Sequence, residues 1–111
     1  MKHDWHTVGS VGKGWWPIVD RLHAAISKLS PHVTMLDIKE KFGGLRYYFT
    51  CECDPVTGDS YVTDEIQDQI DELVAGAETE AYRTCEDCGA DGTAHMKHGW
   101  MKTLCEACNA E

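Results

Sequence analysis

The stretch "CEDCGADGTAHMKHGWMKTLCEAC", residues 85–108, decides how this chain is read. Two Cys-x-x-Cys pairs, Cys85 with Cys88 and Cys105 with Cys108, are separated by sixteen residues. A two-residue gap lets a tight turn aim both thiolates at one ion, and two such turns complete a tetrahedral site of four thiolates. Gly89 follows the first pair, where a knuckle needs backbone freedom. Between the pairs, "GTAHMKHGWMKTL" can make two short strands with a turn near His98 and Gly99, the arrangement of a zinc ribbon or treble-clef-like knuckle. One structural Zn2+ held by Cys85, Cys88, Cys105 and Cys108 is therefore the expected cofactor, with a rubredoxin-like iron site as the alternative. Four thiolates leave no position for a metal-bound water, which argues against hydrolysis at this ion. Neither pair clearly opens a helix after a strand, so thioredoxin-type redox chemistry is not expected. His95 and His98 read as polar residues of the ribbon, at most hydrogen-bonded to thiolates, and Trp100 and Leu104 as the residues that seat it.

Upstream, "HVTMLDIKEKFGGLRYYFTCEC" reads as a β-hairpin, because Gly43 and Gly44 can take the positive φ angles of a two-residue turn. That turn places Phe42 opposite Leu45, Lys41 opposite Arg46, Glu40 opposite Tyr47, Lys39 opposite Tyr48 and Ile38 opposite Phe49. Directly paired residues share a face. One face then carries Ile38, Glu40, Phe42, Leu45, Tyr47 and Phe49 and belongs against a helix. The other carries Lys39, Lys41, Arg46 and Tyr48, the candidate partner-binding surface. Lys41 across from Arg46 is unfavourable in isolation, so a carboxylate of the acidic helix or of a partner is expected nearby. Glu40, on the apolar side, is expected to accept a hydrogen bond from Tyr47 or Tyr82. Cys51 and Cys53 read most simply as free thiols, with a second metal site or a disulfide as alternatives.

Two helices frame the hairpin. In "WPIVDRLHAAISKLSP" Pro17 suits the first turn, and Ile18, Leu22, Ala25, Ile26 and Leu29 recur along one side, with His23 beside the stripe. At least one of Trp15 and Trp16 is expected to pack on the core. A long helix is expected over 63–82, with Thr63 as cap, Asp64 and Glu65 in the first turn and Ile66, Ile70, Leu73, Val74, Ala77 and Ala81 buried. Its opposite side carries Asp68, Asp71, Glu72, Glu78 and Glu80. The "GKG" at 12–14 lacks the spacing of a phosphate loop.

Charge is divided along the chain. The formal net charge is -9; residues 1–50 hold seven Lys or Arg against four Asp or Glu, and residues 51–111 hold three against fifteen. Salt-driven binding of the whole protein to a phosphate backbone is disfavoured, while a local basic surface remains in the first half. No stretch approaches the roughly 18 apolar residues of a membrane span, and no secretion signal is present, so a cytoplasmic location is expected.

The combination of "GKGWWPIVDRL", "IKEKFGGLRYY", a helix leading to "TCEDCG", and "GWMKTLCEAC" resembles a group of small, mostly uncharacterised zinc-ribbon-like proteins of bacteriophages and of bacterial genomes that carry phage-like genes. The resemblance runs from Gly12 to Cys108 and rests on Trp15, Lys39, Lys41, Gly43, Gly44, Arg46, Tyr47 and the last four cysteines; Cys51 and Cys53 fall outside it. It implies a small intracellular metal-binding protein of phage origin and carries no reaction onto these residues.

The expected architecture is α+β: a flexible arm over 1–14, a core over 15–83 containing helix, hairpin and long acidic helix, and a zinc-binding module over 84–111 packed on it. The leading functional expectation is a noncatalytic zinc-containing protein that binds a protein partner, such as a phage modulator of a host protein. A nucleic-acid-associated regulator using the basic-aromatic hairpin face is the first alternative, weakened by charge. A small metal-dependent or thiol enzyme is the second.

Overall fold

The computed structural model describes residues 11–111. The chain enters through a 3-10 turn at Lys13–Trp15 and continues into α1 (Trp16–Leu29), β1 (Val33–Lys41), β2 (Gly44–Cys51) and α2 (Asp64–Ala81). A smaller unit follows: β3 (Thr93–Lys97), β4 (Trp100–Leu104) and α3 (Glu106–Asn109). Each pair of strands forms its own antiparallel two-stranded sheet. The architecture is α+β, with an N-terminal helix, a hairpin, a long helix and a C-terminal four-cysteine unit.

The core forms where both helices meet the inner face of the first hairpin. Trp15, Ile18, Val19, Leu22 and Ile26 pack with Ile38, Leu45 and Tyr47, and with Ile70, Val74, Ala77 and Ala81 of α2. Pro17 sits in the first turn of α1, where its missing N–H costs nothing. Thr63 caps α2, its hydroxyl accepting from the Ile66 N–H at 3.3 Å, and Asp64 and Glu65 complement the helix dipole. On β2, Tyr47 donates its phenolic proton to, or accepts one from, His23 Nδ1 at 2.9 Å. The Tyr47 backbone N–H, on the outer edge of the sheet, donates to the Glu78 carboxylate at 3.2 Å.

The hairpin register differs from the expectation. Glu40 pairs with Leu45, Lys39 with Arg46, Ile38 with Tyr47 and Lys41 with Gly44, so the two turn residues are Phe42 and Gly43 rather than Gly43 and Gly44. Both have positive φ, 55° at Phe42 and 79° at Gly43. Three contacts hold this turn. The Gly43 N–H donates to Glu40 Oε2 at 2.8 Å, its carbonyl accepts from the Thr103 hydroxyl at 2.6 Å, and the Tyr82 ring lies where a side chain on Gly44 would have to go. Each partner moves by two positions, an even shift, so the strand residues keep their expected faces. Phe42 leaves the apolar face and projects from the tip, 77% exposed. Nearer the open end, a bulge at Leu36 lets Met35 pair with Phe49 and Asp37 with Tyr48.

Residues 1–10 of the expected arm lie outside the described residues. Val11–Gly14 are not an arm: Val11 packs against the core, and the Gly14 N–H donates to the Glu86 carbonyl at 2.9 Å. A Cβ on Gly12 or Gly14 would overlap the backbone of Cys85 and Glu86, which explains the "GKG" as a close backbone contact. The expected boundary near residue 84 is likewise crossed by bonds, including Trp15 Nε1 to the Thr84 carbonyl at 2.8 Å.

Candidate metal centre

The two cysteine pairs are presented by different local structures. The first lies in a knuckle closed by the Gly89 N–H donating to the Cys85 carbonyl at 2.9 Å and the Cys85 N–H donating to Ala90 at 2.7 Å. Gly89 takes φ +87°, which is why glycine ends the knuckle. The β3–β4 hairpin then turns through His98 and Gly99, with Lys97 opposite Trp100. The second pair departs from the expectation, because it does open a helix directly after a strand. Cys105 is the N-cap of α3, its sulfur accepting from the Cys108 N–H at 3.4 Å. Knuckle, hairpin and helix start thus follow one another in that order.

All four sulfurs lie within 4.8 Å of one another, and Cys88 Sγ is 3.6 Å from Cys105 Sγ. A tetrahedral ion with sulfur bonds of about 2.3 Å requires sulfurs about 3.8 Å apart, so the cluster is suited to hold one metal ion. Its electrostatics point the same way. Burial works against a thiolate at Cys85, but backbone N–H groups of Cys105, Cys88 and Asp87 aimed at its sulfur prevail and bring its pKa down to about 6. At Cys88 the Ala90 N–H favours the thiolate, yet the Cys105 and Cys85 sulfurs outweigh it and the pKa rises. The Cys105, Cys85 and Cys88 sulfurs also raise Cys108. A divalent cation at the centre reverses this mutual penalty by supplying the missing positive charge.

The surroundings fix the cluster through residues the spacing did not reveal. Glu86 is buried; its carboxylate accepts from the Thr103 N–H at 2.9 Å, and burial raises its pKa against that hydrogen bond. Lys97 Nζ donates to the carbonyls of Cys108 at 3.4 Å and Asn109 at 2.5 Å, neutralising the C-terminal end of α3. The two histidines are polar residues of the β3–β4 hairpin, as expected. His95 Nε2 lies 3.2 Å from the Thr93 hydroxyl, and His98 occupies the exposed turn. Leu104 is buried as the seat of the unit, but Trp100 is 64% exposed, with its indole N–H donating to Glu40 Oε1 at 3.4 Å. Glu40 thus serves Gly43 and Trp100, not Tyr47 or Tyr82.

Cys51 and Cys53 are free thiols outside the cluster. Cys51 donates to Gln67 Oε1 at 3.0 Å, and burial, then Asp71 and Cys53, push its pKa up, which is the opposite of nucleophile activation. On the outer hairpin face Lys39, Lys41 and Tyr48 are exposed and Arg46 is half-buried. The like-charge pair across the strands is Lys39 with Arg46, and the relieving carboxylate is Asp37 on β1, 3.4 Å from Lys39 Nζ. It comes from the strand itself and not from α2. Among the described residues no helix is long and apolar enough to cross a membrane.

No family model, curated protein or solved structure matches the chain. Fold and site together define an α+β domain with a four-cysteine unit suited to hold a metal ion.

Proposed function

We propose that this is a noncatalytic zinc-containing binding protein, in which one Zn2+ at Cys85, Cys88, Cys105 and Cys108 braces a hairpin whose outer face meets a macromolecular partner. The donor set supports zinc: four thiolates in tetrahedral reach suit a closed structural site with no open position for substrate. One observation carries the binding role. Two of the hydrogen bonds leaving the cysteine unit end on the tip of the first hairpin, Thr103 on Gly43 and Trp100 on Glu40, which ties the unit to the hairpin that carries Lys39, Lys41, Arg46 and Tyr48.

That face is cationic in a protein of net charge -9, so an anionic surface is its complement. The resemblance to phage proteins makes a host protein with an acidic surface, met in the host cytoplasm, the first partner to seek. The exposed rings support a second reading, a nucleic acid. Native mass spectrometry with elemental analysis tests the cofactor, the expected result being one zinc per chain. Capture from host lysate by the wild type and by Lys39→Glu/Lys41→Glu/Arg46→Glu tests the surface. A partner retained by the first and lost by the second supports the reading; equal retention by both removes the face from it.

A further inference from the structure

Between the cysteine unit and the inner face of the first hairpin the surface forms a recess of about 500 Å3. Glu40, Glu86, Asp87 and Glu111 line it, and the exposed Trp100 supplies an aromatic wall. Two lysines line it as well, and both are engaged. Lys97 Nζ donates to the carbonyls of Cys108, Asn109 and Glu111, and Lys102 Nζ lies 3.8 Å from Asp87 Oδ1. Glu40 gives its two oxygens to neutral N–H groups, of Gly43 and Trp100, and pairs with no cation among the described residues. Glu86 is only 5% exposed; its Oε2 accepts from the Thr103 N–H, whereas Oε1 accepts from no group among the described residues. That oxygen is not sealed in the interior, so it opens on the recess that Glu86 lines. Alternation puts Glu40 on the opposite face of β1 from Lys39 and Lys41, and the recess shares no residue with the basic outer face.

We propose that this recess takes an arginine side chain of a partner protein, its guanidinium lying against the Trp100 ring and donating to Glu86 Oε1 and the neighbouring carboxylates. The proposal goes beyond the binding-protein reading, which concerns the outer hairpin face, and does not depend on it. Four acidic residues against two lysines already engaged make a cation the complement of the recess. A single metal ion does not fit: among the described residues only the four cysteines bring three or more ligating side chains close enough to share one. Carboxylates spread more widely suit a cation with several donors. Guanidinium carries five N–H groups in a rigid plane, is more weakly hydrated than an ammonium, and stacks on an indole face. Glu86 Oε1 gains a charge-assisted hydrogen bond where it has no donor. The exposed Trp100, Asp87 and Glu111 leave the recess open, so a free small molecule would stay half in water, whereas a side chain carried on a protein brings further contact with it.

Nuclear magnetic resonance titration of zinc-loaded full-length protein with a blocked five-residue peptide, one arginine flanked by glycines, tests this at low salt. The signals to follow are the Trp100 indole N–H and the backbone amides of Gly12 and Leu104, which also line the recess. The arginine peptide is expected to bind about ten-fold or more tightly than its citrulline counterpart, which keeps the shape without the charge, with the lysine peptide between them. Glu86→Gln and Trp100→Ala are each expected to weaken the arginine peptide about five-fold or more, with zinc content and far-ultraviolet spectrum unchanged. Trp100 is exposed, so its variant decides the matter if Glu86→Gln does not fold. Lys39→Glu/Lys41→Glu/Arg46→Glu is expected to bind the arginine peptide as the wild type does. Absence of a saturable shift, equal binding of arginine and citrulline peptides, or undiminished binding by Trp100→Ala overturns the proposal. So does loss of binding in the outer-face variant, which would move the contact to that face. Free arginine binding as tightly as the peptide would make the recess a small-molecule site and overturn the protein partner.

Discussion

The Thr103 hydroxyl donates to the Gly43 carbonyl at 2.6 Å, joining the last strand of the cysteine unit to the tip of a hairpin sixty residues earlier. Thr103 is fully buried, so this bond is made away from water and has no solvent substitute. Thr103→Val keeps the side-chain shape and leaves the Gly43 carbonyl without that donor. The expected loss is about 1–3 kcal/mol in denaturant unfolding. A loss below about 0.5 kcal/mol would mean that the two units are held together by other contacts.

Two glycines are expected to respond in opposite directions to alanine. Gly76 lies inside α2, and a Cβ there meets nothing within 4 Å. Gly76→Ala should therefore raise stability by about 0.5–1 kcal/mol through helix propensity and the narrower unfolded ensemble. At Gly14 a Cβ meets the backbone of Cys85, Glu86 and Gly89, none of which can swing aside as a side chain would. Gly14→Ala should cost about 1–3 kcal/mol. Thermal melting of the two variants beside the wild type checks both signs.

Cys105 both caps α3 and supplies one of the four sulfurs. Serine retains a cap acceptor but is a poor ligand for a soft site, so Cys105→Ser separates the two roles. Elemental analysis is expected to show metal loss in this variant. Retention of a full equivalent would move the fourth ligand elsewhere. In the wild type, protons compete for the sulfurs, so chelator-driven release should accelerate as pH falls.

Tyr47 is buried, and burial raises its pKa well above the usual value. In the unfolded chain the phenol ionises near its ordinary value of about 10, while the folded protein holds it neutral. The unfolded state then binds fewer protons, and stability falls as pH rises past about 10. Tyr47→Phe should reduce this alkaline decline, at the cost of the contact with His23, as read by urea unfolding at pH 8 and pH 11. Identical slopes in the two proteins would assign the alkaline loss to other groups.

Local chemistry determined a large part of this molecule in the sequence itself. The two Cys-x-x-Cys pairs announced one four-sulfur cluster because ligand spacing is a property of a few neighbouring residues. Thr63 marked the start of α2, His98 and Gly99 marked the last turn, and alternation assigned Lys39, Lys41, Arg46 and Tyr48 to the outer face. The tertiary structure alone decided what depends on distant partners. Gly43 and Gly44 are the better local turn, yet Thr103, Tyr82 and Glu40 select Phe42 and Gly43 instead. The faces survived that shift because it was even, and the pairing did not. The same reason hid the docking of Gly12 and Gly14 on the knuckle, the buried Glu86 and the shared hold of Glu40 on Gly43 and Trp100. Periodicity and spacing report on residues within a turn or two of one another, whereas all of these contacts except that of Glu40 with Gly43 join segments brought together only by packing.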